Sequence, residues 1–316
     1  SRFPDSRSPT PPPTSGGVGA CLPTNWHASR PPGQTVTVTA RLTALVAGLL
    51  VLAGVAAGPA AANPGDPPGA LTVGGLQRTY VLHVPPGPPS GLVINLHGAG
   101  QTGGEQAAVT NYNAVADQYG FVVAYPDGID LSWADGRGAS VPDRQGVDDV
   151  GFLATLIDRL SRDYAIPPGR VFVTGMSAGA FMANRLACER ADLVAAVAPV
   201  AGTLGVGVPC NPSRPVSVLQ IHGTADPVVP FDGGPMVGRG GPSDIVSAPA
   251  LADRWRAVDR CPAPVDETNG VVGRSAASGC AGGTEVDFVR IDGGGHIWPA
   301  AFDASQASGQ FFASHG

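Results

Sequence analysis

The stretch that decides the fold is RVFVTGMSAG, residues 170–179, in which an apolar run leads into a serine between two glycines. The run over residues 170–174 has the length and the β-branched content of a buried strand. The segment after it, residues 178–188, is rich in alanine and favours a helix. A serine at such a strand-to-helix junction is expected to sit on a sharp turn that exposes its hydroxyl group. We therefore predict Ser177 to be a nucleophile rather than part of an ordinary glycine-rich turn.

Two possible partners of this serine follow at the ends of strand-like segments. Asp226 comes after VSVLQI (216–221), and His296 comes after VDFVRI (286–291). A serine hydroxyl needs a neighbouring base to take its proton, and the base needs a carboxylate to orient it. The chain order Ser177, Asp226, His296 is the order of an α/β-hydrolase. The sequence thus predicts acyl transfer from an ester to water through a serine acyl-enzyme.

Other histidines and aspartates compete for these two roles. His296 is favoured as the base because the glycines at 293–295 let its loop reach Ser177. His97 and His222 each end a strand-like segment and are interpreted as hydrogen-bonded structural residues. Asp232, in a glycine-rich segment, is the serious competitor of Asp226.

The pattern between the motifs predicts an α/β fold. Apolar runs such as LVINL (92–96) and FVVAY (121–125) alternate with helical spacing, which is clearest between residues 147 and 164. Such alternation predicts a single domain with a mostly parallel sheet and helices on both faces. Residues 71–84 are expected to form a hairpin. The Gly/Pro-rich segment 227–249 has no periodicity and is predicted to be a surface insertion at the rim of the active site.

The segment HGAGQ (97–101) follows a predicted strand and is a candidate for the oxyanion hole. Acyl transfer needs backbone N–H groups aimed at the developing oxyanion. We predict the N–H groups of Ala99 and Ala178 as donors, with Gly98 as the alternative to Ala99. Trp298 is a predicted substrate wall because it lies close to His296 in the sequence. Trp133 is a second candidate wall, for which a structural role is equally compatible.

The N-terminal part of the chain has the features of an export signal. Residues 1–35 are rich in Pro, Ser and Gly and are predicted to be disordered or to precede the true start. Residues 36–62 combine Arg41, an apolar run over 42–57 and an alanine-rich cleavage site, as a Sec-type signal peptide does. An N-terminal membrane anchor is the alternative. We expect a secreted α/β-hydrolase esterase domain over residues 63–316.

Cysteine usage and charge limit the cofactors and partners. An even set of four cysteines in an exported domain favours two disulfides, and the pairings Cys188–Cys210 and Cys261–Cys280 each close a local loop. These cysteines are not accompanied by C-x-x-C or clustered histidines, so neither a metal nor any other cofactor is predicted. The net charge of −6, without a basic cluster, argues against nucleic acid as a partner. We expect a monomer that binds an ester substrate and has no stable membrane insertion once the signal is cleaved.

Four motifs together resemble one family. LHGAGQ (96–101), GMSAGA (175–180), HGTAD (222–226) and GGGHIWP (293–299) are similar to those of the polyhydroxybutyrate depolymerase esterases. The feruloyl and acetylxylan esterases of carbohydrate esterase family 1 share the pattern. The resemblance covers roughly residues 70–300 and implies the same triad and oxyanion donors, with Trp298 in a subsite. Many relatives carry a cysteine in place of Ala99.

The resemblance leaves the substrate open. A secreted polyhydroxybutyrate depolymerase-like esterase is expected first, and a feruloyl or acetylxylan esterase acting on plant cell-wall esters is the alternative. Relatives that attack solid polymer often carry an added binding domain, which is not visible in this sequence. A catalytically silent surface-binding module and an exported peptidase are the alternatives from other classes.

Overall fold

A computed structural model describes residues 68–316, and the predicted disordered stretch and signal peptide lie outside the described residues. The strands are β1 (Pro68–Val73), β2 (Leu76–His83), β3 (Gly91–Leu96), β4 (Phe121–Pro126), β5 (Val171–Met176), β6 (Ala196–Val200), β7 (Ser217–Gly223), β8 (Gly234–Gly238), β9 (Gly241–Ile245), β10 (Val265–Asn269), β11 (Val272–Ala277) and β12 (Val286–Ile291). The helices are α1 (Gly103–Thr110), α2 (Tyr112–Tyr119), α3 (Val141–Gln145), α4 (Asp149–Asp163), α5 (Ala178–Glu189), α6 (Ala248–Val258) and α7 (Ala304–Ser314).

A ten-stranded sheet forms the centre of the described residues. Its strand order is β1-β2-β4-β3-β5-β6-β7-β12-β11-β10, and the six strands from β4 to β12 in that order run parallel. Antiparallel strands extend it at both edges. Every residue of β3, β4, β6 and β7 is buried, as continuous apolar strands covered on both faces require. The predicted α/β-hydrolase fold with a mostly parallel sheet is confirmed.

The core lies in two layers, one on each face of the sheet. Successive side chains of a strand point to opposite faces, and β3 divides its residues accordingly. Leu92 and Ile94 pack in the layer that contains Phe152 of α4, whereas Val93 packs in the layer that contains Phe312 of α7. The functional loops leave the carboxyl ends of the parallel strands that these layers hold in place.

Two disulfides crosslink segments that lie beside the sheet. Cys188, in α5, is bonded to Cys210 with a Cα–Cα distance of 4.6 Å. Cys261, just after α6, is bonded to Cys280 with a Cα–Cα distance of 4.1 Å. Both predicted pairings are present. Among residues 68–316, the helices are all too short or too polar to span a bilayer.

Two regions differ from what the pattern suggested. The segment 227–249 is not wholly irregular, because it contains the antiparallel hairpin of β8 and β9. Met236 and Ile245 are the buried residues of this hairpin, and its strands GPMVG and GPSDI lack the alternation of apolar and polar residues that would have predicted them. The hairpin of β10 and β11 was also missed, since all five residues of the edge strand β10 are exposed and polar residues dominate it.

Candidate active site

Ser177 lies on a strained turn between β5 and α5. Its backbone has φ 55° and ψ −119°, a left-handed conformation that side-chain-bearing residues rarely adopt. The turn is held by the Ser177 N–H, which donates to the Val200 carbonyl at 2.9 Å. A Cβ atom on Gly179 would lie 2.2 Å from the Leu96 carbonyl oxygen, and one on Gly175 would lie 2.7 Å from it. The glycines on either side of the serine are therefore needed for the close approach of this turn to β3.

Three side chains from separate loops form one hydrogen-bonded chain. Ser177 Oγ and His296 Nε2 are 2.9 Å apart, and His296 Nδ1 is 2.8 Å from Asp226 Oδ2. These are hydrogen-bonding distances at which a base can accept a serine proton. The structure thus brings together the three residues that the sequence predicted to act together.

The loops that carry Asp226 and His296 meet because their strands are neighbours. β7 and β12 are paired in parallel, with Gly223 opposite Ile291 at their carboxyl ends. The Ala225 N–H then donates to the Gly294 carbonyl at 2.9 Å. The glycine-rich loop before His296 is thereby joined to the aspartate loop by the backbone itself.

Asp226 is held as a carboxylate. Its Oδ1 accepts the backbone N–H groups of Val228 and Val229, each at 2.8 Å. Burial alone would raise the pKa of Asp226, but the hydrogen bonds from His296 and these two N–H groups outweigh it and hold that pKa below its ordinary value. An ionised Asp226 requires His296 to carry its proton on Nδ1, which leaves the Nε2 lone pair facing Ser177. The competitor Asp232 is exposed, and His296 bonds Asp226 instead.

The backbone donors predicted for an oxyanion hole face the same site. Ala99 and Ala178 both line the cavity that contains Ser177. Among the hydrogen bonds of residues 68–316, none uses either of their N–H groups. The neighbouring donors are occupied, since the Gly98 N–H donates to Gln101 Oε1 at 3.2 Å and the Gly100 N–H to the Leu131 carbonyl at 2.7 Å. This arrangement favours Ala99 over its alternative Gly98.

The cavity at Ser177 is small and is closed on one side by the β8–β9 hairpin. Its volume is about 220 Å³. Phe181 and Met236 form apolar wall, and the hairpin turn around Arg239 forms the rim. The segment 227–249 therefore lies where the sequence predicted it. A larger cavity of about 380 Å³ lies over β10, β11 and β12, away from Ser177.

Neither predicted tryptophan lines this cavity. Trp133 is fully buried, and its indole N–H donates to the His97 carbonyl at 2.9 Å. Of the two roles that the sequence left open for Trp133, the structural one agrees with this position, because its ring packs in the core and does not line the cavity. The indole N–H of Trp298 donates to Ser305 Oγ of α7 at 3.0 Å. Its ring packs against the apolar layer beside α7 rather than in the cavity.

Two further histidines brace the loops of the site. His97 Nε2 accepts the Gly128 N–H at 2.9 Å, so its Nδ1–H donates to the Gly98 carbonyl at 2.8 Å. His222 Nε2–H donates to the Val229 carbonyl at 2.9 Å. Burial lowers the pKa of both rings, which keeps them neutral. Their structural interpretation agrees with this geometry.

Two arginines of the cavity wall were not predicted from the sequence. Arg137 and Arg239 both line it. For Arg239, the one signal in the sequence was its place in the turn sequence GRGG (238–241), which divides the segment 227–249 into two halves. Within the described residues, no three His, Cys, Asp or Glu side chains are grouped so that they could hold a metal ion.

Comparisons with known proteins place this geometry among esterases. The family model described as Esterase PHB depolymerase matches residues 78–253. A putative esterase, NocK, of Nocardia uniformis subsp. tsuyamanensis is 32% identical over 251 residues, which cover 72% of this chain and 73% of the relative. Feruloyl esterase C of Emericella nidulans is 29% identical, over 73% of this chain and 80% of the relative. The structure of an acetyl xylan esterase from Aspergillus awamori shares the fold with a TM-score of 0.57 at 17% identity, covering 78% of this chain and 98% of that one.

Proposed function

The chain belongs to the Esterase PHB depolymerase family and is a carboxylic ester hydrolase, and we propose that Ser177, His296 and Asp226 carry its reaction. The observation that carries this proposal is the unbroken hydrogen-bonded chain from Ser177 Oγ through His296 to Asp226. The strained conformation of Ser177 supports it, since such strain persists where a side chain must be presented for chemistry.

The reaction follows from the positions of these groups. His296 Nε2 takes the Ser177 proton as Oγ attacks the ester carbonyl, and Asp226 stabilises the imidazolium that forms. The N–H groups of Ala99 and Ala178 stabilise the oxyanion of the tetrahedral intermediate. His296 then gives its proton to the leaving alcohol. A water molecule, deprotonated by the same nitrogen, hydrolyses the acyl-enzyme and regenerates Ser177.

We propose short 3-hydroxybutyrate oligomers as the first substrate class. The family description supports a polyester substrate, and the cavity of about 220 Å³ suits a short acyl group. Feruloyl or acetyl esters of plant cell-wall polysaccharides are the second candidate, which the relative named feruloyl esterase C favours.

Secretion and a monomeric state are part of the same proposal. Two disulfides within residues 68–316 support an oxidising compartment, because such bonds persist mainly outside the cytosol. The signal peptide proposed for residues 36–62 provides the route. The test is a fractionation of expressing cells: mature protein in the medium is expected, and full-length protein retained in the cell would contradict the proposal.

The experiment that tests the catalytic proposal compares two substrates side by side. Hydrolysis of a 3-hydroxybutyrate trimer and of methyl ferulate is measured for the wild type, for Ser177→Ala and for the control Ser161→Ala in α4. We expect turnover that Ser177→Ala abolishes and Ser161→Ala leaves unchanged. Preference for the trimer supports the polyester class, and preference for ferulate supports the second candidate. Turnover that survives Ser177→Ala with an intact fold would overturn the nucleophile assignment.

A further inference from the structure

The cavity at Ser177 has an unusual charge distribution for an enzyme expected to act on neutral esters. Apart from His296, its charged lining residues are Arg137 and Arg239, and none of the residues described along its wall is acidic. An uncompensated cation beside a reacting carbonyl attracts anionic substrate groups. The two arginines differ in how far the protein already satisfies their charges.

Arg137 is fully engaged by the protein. Its Nε and Nη2 donate to the two carboxylate oxygens of buried Asp135 at 2.9 and 2.7 Å. Its guanidinium carbon lies 3.7 Å from the ring centre of Phe181, and Nη1 lies 3.5 Å from the sulfur of Met236. With its side chain only 8% exposed, Arg137 is a fixed and neutralised part of the wall.

Arg239 is in a different situation. It lies at the turn of the β8–β9 hairpin, where Nη1 donates to the Asp130 carbonyl at 2.7 Å. Asp130 Oδ2 is 3.4 Å away, and both side chains are nearly half exposed, at 46% and 45%, so this ion pair contributes little. The hydrogen bonds of residues 68–316 assign no acceptor to Nε or Nη2 of Arg239. Its guanidinium therefore keeps donors for a ligand.

The position of Arg239 places these remaining donors beside the proposed oxyanion hole. A Cβ atom on Gly100 would lie 3.6 Å from Cδ and 3.8 Å from Nε of Arg239. The arginine thus packs directly on the loop that contains Ala99, the proposed oxyanion donor. The planar guanidinium matches the geometry of a carboxylate, which it can bind through two parallel hydrogen bonds.

We propose that Arg239 binds a carboxylate of the substrate, so that the enzyme prefers esters that carry a free acid group near the scissile bond. This inference rests on the proposed function and narrows it. The terminal unit of a free 3-hydroxybutyrate oligomer carries such a carboxylate, whereas the interior of a polyester chain and methyl ferulate do not. The enzyme then removes units from the acid ends of soluble oligomers.

Two matched substrate pairs test the proposal. The first compares the 3-hydroxybutyrate dimer with its neutral N-methylamide, which lacks the negative charge of the alcohol part. The second compares monomethyl succinate with methyl butyrate, which lacks the negative charge of the acyl part. KM and kcat are measured for the wild type, Arg239→Gln, Arg239→Lys and the control Arg144→Gln. Arg144 donates to the Gly240 carbonyl of the same hairpin at 2.8 Å but does not line the cavity.

A preference confined to the second pair would place Arg239 at the acyl part and overturn cleavage at the acid end. We expect the wild type instead to prefer the charged member of the first pair, whose carboxylate lies in the alcohol part. Arg239→Gln should raise KM for that charged member about tenfold, the effect of one charge-assisted hydrogen bond at a half-exposed site. The loss of kcat/KM should be several-fold larger on the charged member than on the neutral one, which a merely structural role of Arg239 would not produce. Arg239→Lys should keep part of the preference, and Arg144→Gln should keep all of it.

The outcomes separate this inference from the function on which it rests. Normal turnover of neutral esters without any charge preference overturns the inference alone. An equal loss on charged and neutral substrates in both Arg239→Gln and Arg144→Gln also overturns it, since the hairpin then acts only as structure. Absence of Ser177-dependent turnover on all four esters overturns the proposed function and the inference with it.

Discussion

Replacing Asp226 by asparagine is expected to move the proton of His296 from Nδ1 to Nε2 while leaving the fold intact. Asp226 Oδ1 accepts two backbone N–H groups, each at 2.8 Å, and Oδ2 accepts the His296 Nδ1–H. An asparagine amide has one acceptor oxygen, and the two backbone donors require it at the Oδ1 position. The amide NH₂ group must then face His296 Nδ1. The imidazole then adopts the tautomer with its proton on Nε2, and this nitrogen cannot accept a proton from Ser177.

The size of the loss follows from the cost of the alternative orientation. Flipping the amide would leave the buried N–H of Val229 and the part-buried N–H of Val228 without an acceptor, which costs roughly 3–5 kcal/mol for the two. The productive tautomer is therefore populated at about 10⁻² to 10⁻⁴ of its wild-type level, and kcat should fall by the same factor.

The assay is hydrolysis of 4-nitrophenyl butyrate at pH 7.5, with circular dichroism and thermal melting as controls for the fold. Asp232→Asn is the matched control, because Asp232 follows the same strand but is exposed. Its activity should equal that of the wild type. A kcat of Asp226→Asn within about tenfold of the wild type, with an unchanged melt, would refute the reasoning about the triad.

Three further predictions concern the frame around the site. Cys188→Ala/Cys210→Ala opens a loop of 22 residues and should lower the free energy of unfolding by about 3 kcal/mol in urea titrations; an unchanged midpoint would contradict a bridging role. Gly179→Ala forces a Cβ atom to 2.2 Å from a carbonyl oxygen and should cost about 1–3 kcal/mol and most of the activity, whereas Gly207→Ala, with open space around it, should change neither in the same melts and assays. Burial raises the pKa of Asp259 from 3.8 to about 6, so the native state holds a proton that the unfolded chain releases, and stability from this group falls as pH rises from about 4 to above 6. Asp259→Asn should therefore gain roughly 3 kcal/mol relative to the wild type between pH 4 and pH 8 in urea titrations, and a difference independent of pH would disprove this.

The sequence was sufficient to predict which three side chains meet, because each of them follows a strand with a strong apolar signal. Ser177, Asp226 and His296 come after β5, β7 and β12, and parallel strands present their carboxyl ends at one edge of the sheet. Chain order and strand type therefore fix which residues meet. The short loop lengths likewise made the two disulfide pairings the favoured ones.

The cavity wall could not be predicted in the same way. Trp298 is close to His296 in the sequence, yet its indole N–H is bound by Ser305 on α7, because a loop does not fix the direction of its side chains. Arg239 reaches the site from a hairpin whose short strands have no apolar and polar alternation in sequence. Which side chains line the cavity depends on tertiary packing between distant loops, which the one-dimensional pattern does not record.

Covalent labelling of the nucleophile tests the central claim most directly. Because all basic residues of the chain are arginines, trypsin releases residues 171–185 as one peptide, in which Ser177 is the one serine. After treatment of the purified protein with a fluorophosphonate, mass spectrometry should find one stoichiometric adduct on this peptide, with parallel loss of esterase activity. Labelling should disappear in Ser177→Ala. An inactivated enzyme whose adduct lies on another peptide, or an enzyme that hydrolyses esters yet takes no label, would contradict the account.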